Sequence, residues 1–343
     1  MKINIKIWVG VIIVSALVLL FRNINFQPDK RFRIDRSFQD YSITEVKNAL
    51  VESLDATTVF TDSLICAFRL TSLDAATNRS DVNLYDINAF HPLASFSFDL
   101  PKTAQIKWCS AEEVLYINRF DLFSYNRTTG KHRQLNPVGL ACLNVCRTGP
   151  NTLLVFAELN KDGRFITGYF ALDRTTGTVQ LSKMLEENSQ ANAAPNSLIY
   201  SGKFTRIDAG TMCYYCDKYS KIFFFTGEGR LSRELSTADG APRPTLVFDN
   251  ETYFYKRGST YNVNNAIRVE GKNLLVFSCR SEPVKDMVID VYSLETGQYL
   301  RSTRFNYKNW NCPDIINVSA AGKNTIVNFQ RGVVLFDFSS LGA

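Results

Sequence analysis

Asn126-Arg127-Thr128-Thr129-Gly130, Asp173-Arg174-Thr175-Thr176-Gly177 and Ser293-Leu294-Glu295-Thr296-Gly297 are one turn written three times, and no other feature of this chain restricts its fold as much. The copy inside Gly168 to Leu181 is the clearest: Tyr169 to Leu172 is apolar and aromatic, the turn follows, and Thr178 to Leu181 alternates. Two such runs joined by turn chemistry predict a β-hairpin. The closing glycine supplies the φ > 0 conformation that bulkier residues resist. A hairpin that recurs at intervals predicts a repeat architecture.

From about residue 51 six units align, each with an inner run, a second run, a third run before the turn and a fourth after it. The third runs begin at Val82, Leu122, Gly168, Lys221, Met287 and Val333, a spacing of about 40 to 65 residues that matches one four-stranded propeller blade. The longer intervals hold insertions, at 185 to 200 and 241 to 262. Aromatic residues make up 13% of the 343, with 25 Phe and 15 Tyr, as pleated packing favours. A two-sheet sandwich would not require six copies of one hairpin. The predicted fold is all-β, a six-bladed β-propeller of four-stranded blades over 51–343.

The sixth unit stops after Val333 to Phe338 with no fourth run, which would leave an open strand edge. The tether before the propeller, residues 23–50, offers one alternating stretch. Phe32 to Ser37 is therefore expected to pair beside Val333 to Phe338 and close the ring.

The aromatic-to-turn junctions Tyr85-Asp86, Tyr125-Asn126, Leu172-Asp173, Tyr292-Ser293 and Phe336-Asp337 resemble those of bacterial six-bladed propellers of the TolB-like and NHL-like superfamily, over roughly residues 51 to 340. That resemblance implies architecture and says little of function.

Inner strands line the channel of a propeller, so they are where a site is sought. An apolar set, Val59, Trp108, Val145, Ile207, Val269 and Val318, is expected between blades. Alternation places its neighbours on the other face. The channel candidates are Lys107, Arg206, Arg268, Asp208, Glu270, Asn144 and Asn317. Two readings stand: ion pairs stitching adjacent blades, or a ligand site whose three cations suit a carboxylate or phosphate. Cys109 and Cys146 occupy matching positions and are the candidate disulfide, against the alternative of two free buried thiols.

Other chemistry is scarce. The only histidines, His91 and His132, fall near outer-strand turns, so no His-based triad or multi-His metal site is expected. Cys213-Tyr214-Tyr215-Cys216 lies in a strand-like run, where positions i and i+3 face opposite ways. No catalytic residue, metal or cofactor is nominated. The net charge of +6 is spread among acidic residues, unlike the clustered basic face that nucleic acid requires.

Ile7 to Phe21 is uncharged and follows Lys2 and Lys6, the layout of a signal anchor over 1–22 or of a cleaved signal peptide. An N-terminal hydrophobic helix is thus expected, single-pass, with the propeller periplasmic or at the cell surface. Arg22, Lys30, Arg31, Arg33 and Arg36 after the run weigh against that orientation. The functional expectation is a membrane-tethered, extracytoplasmic scaffold for a protein or peptide partner. The alternative is a propeller enzyme or cofactor-binding subunit, hydrolase, lyase or quinoprotein-dehydrogenase-like, using the charged channel.

Overall fold

The repeated turn owes its shape to its first and last residues. Asp173 Oδ1 accepts from the Thr175 and Thr176 N–H groups at 2.8 and 2.9 Å, and Gly177 turns the chain at φ 74°. Asn126 holds the Thr129 N–H at 2.9 Å and Ser293 Oγ the Thr296 N–H at 3.1 Å, with Gly130 and Gly297 at φ 65° and 74°. A short polar side chain that bonds its own backbone sets the turn, and glycine completes it.

The computed structural model describes residues 36–41, 43–49, 59–60, 64–86, 91–208, 210–256, 260–278, 287–305, 315–321, 324–329 and 332–342. Its first strand, β1 (Thr44–Ala49), belongs to the last blade. Blade one is β2 (Val59–Phe60), β3 (Leu64–Ser72), β4 (Thr77–Asp86) and β5 (Pro92–Pro101). Blade two is β6 (Ala104–Cys109), β7 (Glu113–Asn118), β8 (Asp121–Asn126) and β9 (Lys131–Gln134). Blade three is β10 (Leu140–Arg147), β11 (Thr152–Lys161), β12 (Arg164–Asp173) and β13 (Val179–Asn188), and the helix α1 (Ala193–Ile199) follows it. Blade four is β14 (Gly202–Arg206), β15 (Thr211–Cys216), β16 (Lys221–Thr226) and β17 (Leu231–Ser236). A separate hairpin, β18 (Leu246–Asp249) and β19 (Thr252–Tyr255), fills the second insertion. Blade five is β20 (Asn264–Glu270), β21 (Asn273–Ser278), β22 (Met287–Ser293) and β23 (Tyr299–Phe305), and blade six is β24 (Ile315–Ala321), β25 (Asn324–Phe329) and β26 (Gly332–Asp337) with β1 outermost.

The result is the six-bladed all-β propeller that the repeat implied. Its core is a series of seams rather than one centre. Leu115, Ile117, Leu153 and Val155 pack between blades two and three, and Leu154, Phe156, Met212 and Tyr214 between three and four. Similar clusters join one to two, four to five and five to six. Because side chains alternate, each second strand feeds both of its neighbours. Trp108, Val145, Ile207, Val269 and Val318 of the apolar inner set lie in these seams.

An N-terminal strand does complete blade six, but it is a different one. Thr44–Ala49 pairs antiparallel with β26, from Thr44 opposite Asp337 to Ala49 opposite Val333. Residues 32–35 of the expected closing strand lie outside the described residues, while Arg36 and Ser37 are occupied on blade five. There Ser302 N–H donates to the Ser37 carbonyl at 2.8 Å and Gln39 N–H to the Ser302 carbonyl at 2.9 Å. The Arg36 guanidinium grips Asp290 with two bonds of 2.8 and 2.9 Å and reaches Asp239 at 2.7 Å. Both carboxylates are fully buried, and the Ser278 and Ser302 hydroxyls complete the socket. Phe32-Arg33-Ile34-Asp35 alternates as a strand should, but the pattern could not reveal a buried acidic socket for the next residue.

The N-terminal expectation requires correction. Among the described residues α1 is the sole α-helix, and no helix is long and apolar enough to cross a membrane. The expected hydrophobic helix at 1–22 lies outside the described residues. The described fold is the propeller alone. The signal-anchor, transmembrane, periplasmic and single-pass readings, and the membrane as a partner, are not carried further.

Candidate functional site

Inner strands place side chains in the channel, and bulges decide which way those side chains aim. Register shifts fall between Ile106 and Trp108, Cys142 and Asn144, Asn264 and Ala266, and Ile315 and Asn317. Each leaves one residue unpaired, and the one in β6 is Lys107. A bulge bends its strand and redirects the side chain it carries. Lys107 accordingly lines a solvent-open cavity of about 280 Å³ bounded by residues of blades two, three and four and by Ser197 of α1.

Gln105 and Lys107 form one wall with Arg119, whose φ of 59° belongs to the tight turn between β7 and β8. Ser201 and Asp217 form the facing wall, Asn144 lies between, and the buried Phe156 and Tyr214 form the floor. Lys107 Nζ donates to Gln105 Oε1 at 3.0 Å. Burial pushes the Lys107 ammonium below its ordinary pKa. The Lys203 ammonium is lowered too, by burial first, with the charge of Asp217 opposing. The Asp217 carboxyl is raised by burial, against the pull of Lys203 and Lys218. Of these, Lys107 and Asp217 line the cavity, and charged groups partly withdrawn from water in a concave site are the mark of a binding or reacting centre.

The seven sequence-derived candidates do not form one site. Lys107 and Asn144 reach the cavity. Asn144 also donates to the Gly202 carbonyl at 3.0 Å, tying blade three to blade four. Arg206 donates to the Arg147 carbonyl at 3.4 Å, tying four back to three. Arg268 is buried, pairs with Glu270 at 2.8 Å and donates to the Asn324 carbonyl of blade six. Asp208 is exposed and accepts the Gly210 N–H at 2.7 Å in the turn after β14. Asn317 sits in β24 opposite Asn328, and its side chain lies outside the described residues. The described polar inner side chains thus divide among inter-blade ties, one turn and the cavity lining. Cys109 and Cys146 are both buried and free, so no bridge joins them.

Lys203, Asp217, Arg119 and Gln105 were missed. Lys203, opposite Tyr215, is the counterpart of Asn144, opposite Phe156, whereas the sequence alignment put Arg206 there. Thr148 N–H bonds the Thr152 carbonyl and Ile207 N–H the Thr211 carbonyl, which makes Arg147 and Arg206 equivalent. Aligning on those two turns instead of on hydrophobic runs would have found Lys203.

No family model matches the chain, and no curated protein matches it. Solved structures match in part. A member of the duf4221 family from Bacteroides vulgatus shares 10% identity at TM-score 0.41, covering 89% of this chain and 98% of that one. The computationally designed Ika8 protein shares 11% at TM-score 0.36, covering 89% and 100%. The extracellular domain of a putative hybrid two-component system from B. thetaiotaomicron shares 11% at TM-score 0.43, with 88% of this chain spanning 40% of that one. The blade count of this chain rests on its own strand pairing.

The enzyme alternative is corrected as well. Among the described residues no group of three His, Cys, Asp or Glu is placed to hold a metal ion. The charged residues that the alternative assigned to one channel are separated, with Lys107 in the cavity, Arg206 and Arg268 tying neighbouring blades and Asp208 in a turn. His132 sits on the outer strand β9 against the Tyr116 hydroxyl at 2.9 Å, remote in the sheet from β6.

Proposed function

We propose that this chain is a binding scaffold for a protein or peptide, a six-bladed propeller of the TolB-like or NHL-like kind. The hairpin β18–β19 carries the proposal. Val247, Phe248, Tyr253 and Phe254 are 46, 60, 36 and 53% exposed. Consecutive residues of a strand point to opposite faces, so this hairpin shows apolar side chains on both faces. A soluble domain does not ordinarily hold such a cluster in water without a use for it.

The hairpin is rooted beside the cavity. Tyr255 donates to the Leu198 carbonyl of α1 at 2.8 Å, and Lys218, next to Asp217, lies 5.2 Å above the Tyr255 ring. Ser197 and Ser201, flanking that contact, line the cavity. An aromatic arm next to a polar pocket supplies the two elements interfaces combine, anchor area and orienting polar groups.

The test is recovery of crosslinked partners by the full chain and by a Phe248→Ser/Phe254→Ser variant of it. Loss of two aromatic anchors should lower recovery of a specific partner at least about tenfold while stability changes by under about 0.5 kcal/mol. Equal recovery by both proteins would refute the reading.

A further inference from the structure

The cavity has an unbalanced charge. Lys107 Nζ has one acceptor among the described residues, Gln105 Oε1, although an ammonium carries three donors. Arg119 lines the same wall, is exposed, and makes no ion pair or hydrogen bond among the described residues. Asp217 opposes them from the other wall, but Lys203 and Lys218 already act on its carboxylate. Among the described residues the positive side is therefore the one without a counter-ion.

We infer that this cavity takes the free C-terminal carboxylate of the peptide that the hairpin holds, with Lys107 as its counter-ion and Arg119 at the entrance. The inference rests on the peptide-binding reading and adds the chemical group that is read. Two carboxylate oxygens match one ammonium and one guanidinium. Asp217 favours this occupant over phosphate, because it repels a dianion yet accepts from the N–H groups of a peptide backbone. Lys107 reaches the ligand only because its bulge turns it out of the ladder.

The experiment passes two pools of N-acetylated random tripeptides, one with free C-termini and one amidated, over the immobilised full chain. The free acids should be retained about tenfold more than the amides, the size of one charge-assisted contact. That preference should vanish in Lys107→Gln and persist in Lys107→Arg. Equal retention of acids and amides, retention of neither, or an intact preference in Lys107→Gln would overturn the inference. So would displacement of the acids by inorganic phosphate where acetate at equal concentration has no effect, which would make this a phosphate site. Equal retention of both pools that disappears in Phe248→Ser/Phe254→Ser would leave the hairpin reading standing while this one fails.

Discussion

At the scale of single residues, the two charges that matter most act in opposite senses. Burial holds Lys107 below its ordinary pKa of 10.5. Between the lowered value and 10.5 the unfolded chain binds more protons than the folded one, so stability rises with pH across that window. Below it, the desolvated ammonium is a constant cost. Lys107→Met should therefore stabilise the fold at pH 7, by about 1 kcal/mol, and the gain should shrink as pH approaches 10.5. Urea unfolding of both proteins at pH 7 and pH 10 checks the sign. A residue that costs stability where it sits is one kept for another purpose. Arg36 is the reverse case, because its removal strands Asp239 and Asp290, which are 1% and 0% exposed. Arg36→Ala should cost about 3–5 kcal/mol in denaturant unfolding. Arg36→Lys should restore only part, since an ammonium cannot make the two parallel bonds to Asp290.

Elements were more legible than residues, and the difference has a physical basis. A hairpin is specified locally by alternation and turn chemistry, so Asp173 to Gly177 announced itself. Gly168, in the middle of β12, is explained only by the folded sheet: a Cβ there would lie 2.2 Å from the Lys183 carbonyl oxygen of the neighbouring strand. The bulge at Lys107 is equally hidden, because one extra residue leaves no mark in a hydrophobic pattern. The missing fourth run of the last blade was legible, and the identity of its replacement was not. Thr44–Ala49 has the weaker alternation of the two N-terminal stretches, yet it is the one that pairs. Asn48→Pro, set in the ladder opposite Val334, should cost about 2–3 kcal/mol. Hydrogen exchange should then quicken in β26 while β11, inside blade three, keeps its protection.

Across the whole molecule, five described seams couple blades one to six in order, so the described cysteines report on the set of blades rather than on their own strands. Cys66, Cys109, Cys142, Cys146, Cys213 and Cys216 are all free and buried. Burial raises the thiols of Cys142, Cys146, Cys213 and Cys216, and for Cys66 the bond with Cys109 is the larger cause, ahead of burial. Thiolates are the reactive form. Native treatment with iodoacetamide should leave all six unmodified, and labelling in rising urea should reach them together at one midpoint. Separate midpoints for blade one and blade four would show that the blades open singly. That shared seams imply such cooperativity could be foreseen from six repeats, whereas the splitting of the inner charges between ties and cavity could not. It depends on three-dimensional register, which differs by single residues from strand to strand.

The Arg36 clamp joins residues 254 positions apart, and the strand pairing that follows it reaches to Asp337. A ribosome makes Arg36 well before Asp239 and Asp290, and Thr44–Ala49 well before β26. Until those partners emerge residues 36–49 have nothing to hold, and the Asp239–Asp290 socket is complete before β26 has been made. The Arg36 clamp can consequently fasten before blade six exists, whereas the β1–β26 pairing waits until Gly332–Asp337 has left the ribosome, and a chain stalled within blade six would carry its clamp fastened and its closing strand unpaired.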